Sequence, residues 1–408
     1  MANVNLASAK KTKNDEFYTQ YADIQKEVEA YLEYDKETFK NKVVYCNCDD
    51  PFESNFFRYF VLNFNRLGLK QLITTSYKPS PVANTQIGLF GDDVTLAPAK
   101  GRAKITANKF VINDVGDTDN DGQFNLSDIA EQLKANKHNE WEPLEGTGDF
   151  RSAECVELLK QADIVVTNPP FSLFREYVKQ LIDYNKKFLI IGNIGAVSYK
   201  EIFPLIKDNK VWLGVTGYMN DMVFAVPEGT EVPQAYKEKA ERLGYKGNYT
   251  RLGNSCWFTN LDHGRRHQEM QLMTTADNLK FNKKLQGKSA YDHYDNYDAI
   301  EVPVTNAIPS DYSGVMGVPI SFLDKFDPEQ FQIIGITKPA IDPQLRTKIY
   351  GKQVQVDKNG KRSEVTKLND GAVLEISEPS GNTYYIVDGK LYIQLYSRVL
   401  IQHRKAIK

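Results

Sequence analysis

Asn168, Pro169, Pro170 and Phe171 follow an apolar run, "QADIVVTN" (161–168), and lead into the amphipathic stretch "SLFREYVKQLIDYN" (172–185). Proline locks φ and carries no N–H, and a residue that precedes proline is held extended. Asn168 and Pro169 both precede a proline, so the backbone is stiff and the Pro169 carbonyl points in a fixed direction. The Asn168 side chain adds a second acceptor and an amide donor. Two converging acceptors suit the –NH2 of a planar ring such as adenine. That nitrogen is a poor nucleophile because its lone pair is delocalised into the ring. Hydrogen bonds from both N–H groups favour a pyramidal nitrogen with a localised lone pair, and Phe171 can stack on the base. A sulfonium methyl placed in line is the matching electrophile. No strong general base is needed, since the proton can leave after the methyl arrives, so catalysis is mostly positioning and electrostatics. The competing reading is a Pro-Pro helix start. The flanking Asn and Phe after a buried strand favour the catalytic one.

Five runs share the pattern needed to position this motif: "NKVVYCNC" (41–48), "KQLITTSY" (70–77), "QADIVVTN" (161–168), "KKFLIIGN" (186–193) and "NKVWLGVT" (209–216). Each has a polar lead-in, four to six mostly apolar residues and then a turn or polar group. Such runs suit strands buried on both faces of a parallel sheet. Helical patterns lie between them at 54–68, 152–162, 172–185 and 198–209. The alternation predicts a doubly wound α/β fold, in which ligands bind at the carboxyl ends of the strands. "MVFAVPEG" and "SCWFTNLD" could add antiparallel strands. Residues 78–145, rich in Asp, Asn, Gly and Pro, read as an inserted lobe. From about 263 the pattern changes to a smaller mixed domain.

The 408 residues are 41% apolar, enough for a substantial core. No stretch approaches the ~20 apolar residues of a membrane span. The start, "MANVNLASAKKTKNDEF", has no apolar segment after its basic region and reads as no secretory signal. Cys46, Cys48, Cys155 and Cys256 are scattered, which suggests reduced thiols in a cytoplasmic protein. With a net charge of −2, the chain can bind nucleic acid only if its basic residues gather on one face.

"ADIVVTNPPFSLFREY", "NDEFYTQY", "VVYCNCDDP", "GDFRSAE" and "GVMGVPISFL" resemble the EcoRI-type adenine-specific DNA methyltransferases over most of residues 10 to 330. The resemblance implies a Rossmann-like sheet that uses S-adenosyl-methionine to methylate N6 of a flipped adenine in duplex DNA. It also implies a restriction endonuclease as a common, separately acting partner. Under it, residues 1–262 form the cofactor-binding catalytic domain and 263–408 the target-recognition region. "DEFYT" looks like the N-terminal cofactor motif, in which Phe17 would pack on the methionine end with Tyr18 and Thr19 close by. "DDPFESNF" resembles the strand-one cofactor motif at Asp50, Pro51 and Phe52. It departs at Ser54 and Phe56, where glycines are usual, so the cofactor is expected to sit differently. "ITTSY" lacks the usual acid for the ribose hydroxyls. "GDFRS" would place Asp149 and Phe150 near the cofactor adenine, and Phe224 in "MVFAVP" is a candidate for the second face of the flipped base, or else core.

Other signals are weaker. Asp117, Asp119, Asp121, Gly122 and Asp128 have EF-hand-like spacing. However, position twelve is Asp, and "KFVIND" before the loop reads as strand. A solvated acidic turn is the default, a structural calcium site the alternative; no catalytic metal is expected. Lys10, Lys11 and Lys13 could form a phosphate-contacting arm or simply add solubility. Arg265 and Arg266 could face DNA or be solvated. Two other functions remain open at this point. One is methylation of RNA adenine or a protein glutamine, although glutamine enzymes usually carry Tyr where Phe171 stands. The other is a catalytically dead DNA-binding decoy, motivated by the missing glycines.

Overall fold

The structure, a computed structural model, describes residues 18–48, 54–77, 107–118, 124–125, 128–129, 131–132, 138–216, 222–226 and 231–404. Within the chain, residues 1–194 and 212–264 form one compact unit, and 195–211 and 265–408 form another.

The first unit begins with β1 (Tyr18–Thr19), α1 (Tyr21–Tyr34), β2 (Val43–Cys46), α2 (Asn55–Leu62) and α3 (Phe64–Leu67). Next come β3 (Gln71–Thr75), β4 (Asn108–Ile112), β5 (Glu140–Pro143) and α4 (Ala153–Gln161). Then follow β6 (Ile164–Thr167), α5 (Phe174–Asp183) and β7 (Lys187–Asn193). After α6 (Phe203–Lys207), which belongs to the second unit, the first resumes with β8 (Trp212–Leu213), β9 (Val223–Ala225), α7 (Gln234–Arg242), β10 (Tyr249–Arg251) and β11 (Ser255–Thr259). The main sheet runs β5-β4-β3-β2-β6-β7-β11-β8. Its middle four strands are parallel, and β2 and β6 are buried at every position. That is why their sequences are continuously apolar rather than alternating. The fold is therefore α/β, as the alternation predicts.

Two expectations need amendment and a third is refined. The described strands of the 78–145 insertion do not form a separate lobe: β4 pairs antiparallel with β3 and β5 antiparallel with β4, extending the main sheet. The run 209–216 supplies only the two-residue β8, paired antiparallel with β11. The "MVFAVP" segment is antiparallel, as expected, but lies between β1 and β10 in a separate three-stranded sheet.

Local chemistry sets the helix ends. Ser54 caps α2, its Oγ accepting from the N–H groups of Phe56 and Phe57 at 3.1 Å each. Ser152 caps α4 through the Cys155 N–H at 3.2 Å. Gly68 ends α3 in the left-handed region, with φ 62°.

A buried carboxylate closes the first unit on one side. Glu27, on α1, accepts from the backbone N–H of Val215 at 2.8 Å and of Thr216 at 2.7 Å. It also accepts from the Thr216 and Tyr31 hydroxyls, at 2.5 and 3.1 Å. Burial pushes its carboxyl above the usual range, and these donors pull it back down. Gly214 is required beside it, because a Cβ there would lie 2.2 Å from Glu27 Oε1. Glu27→Ala should cost roughly 2–4 kcal/mol, as a cavity and orphaned buried donors combine. Denaturant unfolding of the two proteins measures it. Unchanged stability would mean that the Glu27 bonds contribute nothing net.

The second unit contains α8 (Thr275–Phe281), β12 (Ile300–Glu301), β13 (Met316–Pro319), β14 (Phe331–Ile336), β15 (Gln353–Val356) and β16 (Arg362–Val365). It ends with β17 (Val373–Ile376), β18 (Tyr384–Val387), β19 (Lys390–Gln394) and β20 (Arg398–His403). These strands form two sheets, β12-β13-β20-β14 and β16-β15-β18-β19-β17. A buried ion pair, Arg398 with Glu301 at 2.8 Å, ties β20 to β12.

Candidate active site

The Asn-Pro-Pro-Phe motif lies at the carboxyl end of β6. Asn168 is half-buried, Pro169 is buried, and the chain turns through a short 3-10 helix, Phe171–Leu173, into α5. The prolines act as the dihedral argument requires. Pro170 has φ −55° and ψ 122°, and its carbonyl accepts from the Leu173 N–H at 3.0 Å. Phe171 is half-buried and packs against the main core cluster.

Because β2 and β6 are parallel neighbours, their carboxyl ends lie at the same edge of the sheet. Asn47, directly after β2, joins them. Its backbone carbonyl accepts from Thr167 Oγ1 and its Oδ1 accepts from the Tyr177 hydroxyl of α5. All three residues are buried. Burial raises the Tyr177 phenol well above its usual pKa, so it stays a donor. Cys48 follows with φ 61°, an uncommon conformation for a residue with a side chain. Asp50, Pro51 and Phe52, which come next in the sequence, and Phe17 of "DEFYT", lie outside the described residues.

The rest of "DEFYT" is placed. Tyr18 and Thr19 form β1, with Thr19 opposite Phe224. The Thr19 carbonyl accepts from Asn55 Nδ2, on the first turn of α2, at 2.8 Å. Thr19 Oγ1 is buried and has no hydrogen-bond partner among the described residues.

Ser54 and Phe56 stand where glycines were expected, yet neither side chain faces outward. Both are buried, Ser54 as a helix cap and Phe56 edge-on to Trp257 at 6.0 Å. Their bulk is directed into the protein, which removes the motive for the decoy reading.

The "GDFRS" loop packs beside the end of β3. Gly148 has φ +73°, and a Cβ there would fall 1.9 Å from the Ser76 carbonyl oxygen, so no other residue fits. Phe150 is buried, edge-on to the Tyr177 ring at 5.0 Å, and its carbonyl accepts from Gln180 Nε2 at 3.0 Å. Asp149 pairs with Arg151 at 2.7 Å, and that guanidinium holds its carboxyl below the usual carboxylate range. The loop is thus fastened to the helix that follows Asn-Pro-Pro-Phe.

Three candidates are placed differently from expectation. Phe224 is 0% exposed within the core cluster, so it presents no surface on which a base could stack. Arg266 is 7% exposed and donates to Asn209 Oδ1. Arg265 pairs with the buried carboxylate of Asp324. As placed, these arginines hold the second unit together rather than face phosphate. Asn47 and Tyr177 were missed by the motif reading. The only signal for Asn47 was an amide directly after an apolar strand, and for Tyr177 a tyrosine on the buried face of an amphipathic helix.

In the acidic loop, Asp119, Asp121 and Gly122 lie outside the described residues. Asp117 is exposed, whereas both oxygens of buried Asp128 accept backbone N–H groups, of Thr118 at 2.6 Å and Asn125 at 2.7 Å. Among the described residues no group of three potential metal ligands occurs, and no helix is long and apolar enough to cross a membrane.

An α/β sheet whose neighbouring parallel strands are followed in sequence by Asp-Asp-Pro-Phe (49–52) and by Asn-Pro-Pro-Phe (168–171) fits the S-adenosyl-methionine-dependent methyltransferase class. Comparison with known proteins makes the class specific. The family model described as adenine-specific methyltransferase EcoRI matches residues 5–404. The type II methyltransferase M.EcoRI of Escherichia coli is 46% identical over 338 residues, 82% of this chain and 89% of that one. M.MpnI of Mycoplasma pneumoniae is 35% identical over 328 residues, 80% and 83% of the two chains. A type II methyltransferase of Mycoplasma genitalium is 37% identical over 364 residues, 88% and 95% of the two chains. No solved structure matches the chain at a significant level. The chain belongs to the EcoRI family of adenine-specific methyltransferases, and its activity is site-specific DNA adenine methylation.

Proposed function

We propose that the chain methylates N6 of an adenine swung out of duplex DNA, with Asn168 and the Pro169 carbonyl as the two acceptors for its amino group. The observation that carries this reading is the stiff Asn-Pro-Pro turn at the end of a fully buried strand, beside the strand that leads into the cofactor loop. Bound S-adenosyl-methionine supplies the electrophilic methyl on a sulfonium. The protein's own residues do the rest. Asn168 and Pro169 orient the nitrogen and sharpen its lone pair. Pro170 keeps that backbone rigid, and Phe171 covers one face of the base. Extrusion costs a few kcal/mol, which stacking and hydrogen bonding in the pocket must offset.

Cofactor contacts are proposed for Phe17, Tyr18 and Thr19, for Asp50, Pro51 and Phe52, and for Asp149 and Phe150. The orphaned Thr19 hydroxyl supports this, since an unsatisfied buried donor costs ~1–3 kcal/mol that a polar ligand group would recover. Asp149, kept ionised by Arg151, is a ready acceptor for a hydroxyl or amine. Phe17→Ala should weaken cofactor binding by roughly 1–3 kcal/mol, the scale of a buried aromatic contact. Calorimetry reads this directly, and unchanged affinity would mean that "DEFYT" has been misassigned.

Residues 1–262 are read as the catalytic domain and 263–408 as the region that recognises the target site. A restriction endonuclease acting separately on the same site would be the natural partner. A DNA substrate and four cysteines outside any disulfide support a cytoplasmic location. For the 117–128 loop we favour a solvated turn closed by Asp128, whose oxygens are already used by backbone N–H groups. The deciding experiment is to sequence modified adenines in DNA from cells expressing the protein, with RNA and protein assayed alongside. N6-methyladenine at one recurring DNA site is the expected result. Label in RNA or glutamine instead would overturn the reading.

A further inference from the structure

Two large apolar side chains of the second unit stand in solvent: Tyr396 is 91% exposed and Ile349 is 69% exposed. Single exposed apolar residues are ordinary on protein surfaces. These two differ because the backbone around each is pinned. Leu395 N–H donates to the Ala372 carbonyl at 2.9 Å, and Arg398 Nη1 holds the Tyr396 carbonyl at 3.3 Å. Arg398 is itself anchored on buried Glu301. On the other loop, Thr347 N–H donates to the Asn296 carbonyl at 3.0 Å, and Tyr350 N–H donates to Asn369 Oδ1 at 2.9 Å.

The two loops hang from one point. Buried Asn296 donates its Nδ2 to the Gly371 carbonyl at 2.8 Å and accepts the Val373 N–H at 2.9 Å. The same three-residue segment, 371–373, receives the Leu395 N–H. These bonds fix the backbone from which each side chain projects, so neither loop can refold to bury its apolar residue without breaking them. The surrounding sequence is also basic. Residues 343–408 carry twelve Lys and Arg against six Asp and Glu, in a chain whose net charge is −2. At the tip of the β15–β16 hairpin, Lys358, Lys361 and Arg362 are all exposed.

We infer that Tyr396 and Ile349, projecting from fixed backbone, make an aromatic–aliphatic contact with the bases of duplex DNA, and that Lys358, Lys361 and Arg362 of the same unit contact its phosphates. The inference rests on the reading of 263–408 as the DNA-facing region. Charge complementarity selects DNA as the occupant, because a net-basic segment with an exposed cationic hairpin tip and two exposed apolar side chains matches a polyanion whose bases offer π faces and groove edges.

The experiment measures duplex binding at several salt concentrations for full-length Tyr396→Ala, Ile349→Ala and the double variant, with cofactor affinity and melting temperature alongside. A fourth protein carries Lys358→Ala, Lys361→Ala and Arg362→Ala together. The wedge variants should lose roughly five- to a hundred-fold in DNA affinity, with cofactor binding and melting unchanged, and Tyr396→Phe should retain most of it. The hairpin-tip variant should flatten the salt dependence. Silent wedge variants beside an impaired tip variant would overturn the wedge and leave the domain reading standing. If all are silent, the domain reading falls with it.

Discussion

Asn168→Ala should abolish methyl transfer while leaving cofactor affinity nearly unchanged. The side chain sits half-buried at the end of β6, where the following prolines hold the backbone and buried Asn47 and Thr167 hold the strand ends together. Truncation therefore removes an acceptor without releasing the turn. One preorganised hydrogen-bond partner in a water-poor site is worth ~10²–10³-fold in rate. The loss should be at the upper end or beyond, because Asn168 is one of only two acceptors assigned to the amine. Single-turnover kinetics with saturating cofactor and DNA isolate the chemical step. A near-normal rate would remove Asn168 from the mechanism. Lost cofactor binding would instead mean that the turn itself had collapsed.

Phe171→Ala should hurt the DNA side of the reaction and spare the cofactor side. Stacking on an aromatic ring is worth ~1–3 kcal/mol per base. Extruding a base costs a few kcal/mol, and least where it is mismatched. Placing the target adenine opposite a mismatch should therefore restore part of the lost rate. The alternative is that Phe171 only packs, since it touches the main core cluster. In that case the variant should melt lower and show no rescue. Single-turnover rates on matched and mismatched duplexes, with melts of both proteins, separate the two. Equal losses on the two duplexes together with a lowered melting temperature would favour packing.

Much of the catalytic framework is legible without coordinates because its determinants are local. A short run of mostly apolar residues bounded by polar ones means a strand covered on both faces, and β2, β3, β6 and β7, buried along nearly their whole length, follow that rule. Asn-Pro-Pro constrains its own dihedrals wherever it occurs, so the stiff turn after β6 can be read from four letters. Ser54 also had a local signature, an N-cap hydroxyl before a helix, although the usual glycines of the cofactor motif direct the eye to what is missing rather than to what is present.

Only the tertiary structure decides which distant groups meet. Tyr177 and Asn47 are 130 residues apart, and Glu27 reaches Thr216 across 189. No periodicity encodes such pairs, because each depends on the order in which the strands assemble. Likewise Phe224, Arg265 and Arg266 have residue types that suit bases and phosphates. Their surroundings assign them instead to a core, a buried carboxylate and an asparagine. An apolar ring or a guanidinium meets either need equally well in sequence. Burial and the nearest partner, both set by long-range packing, choose between them.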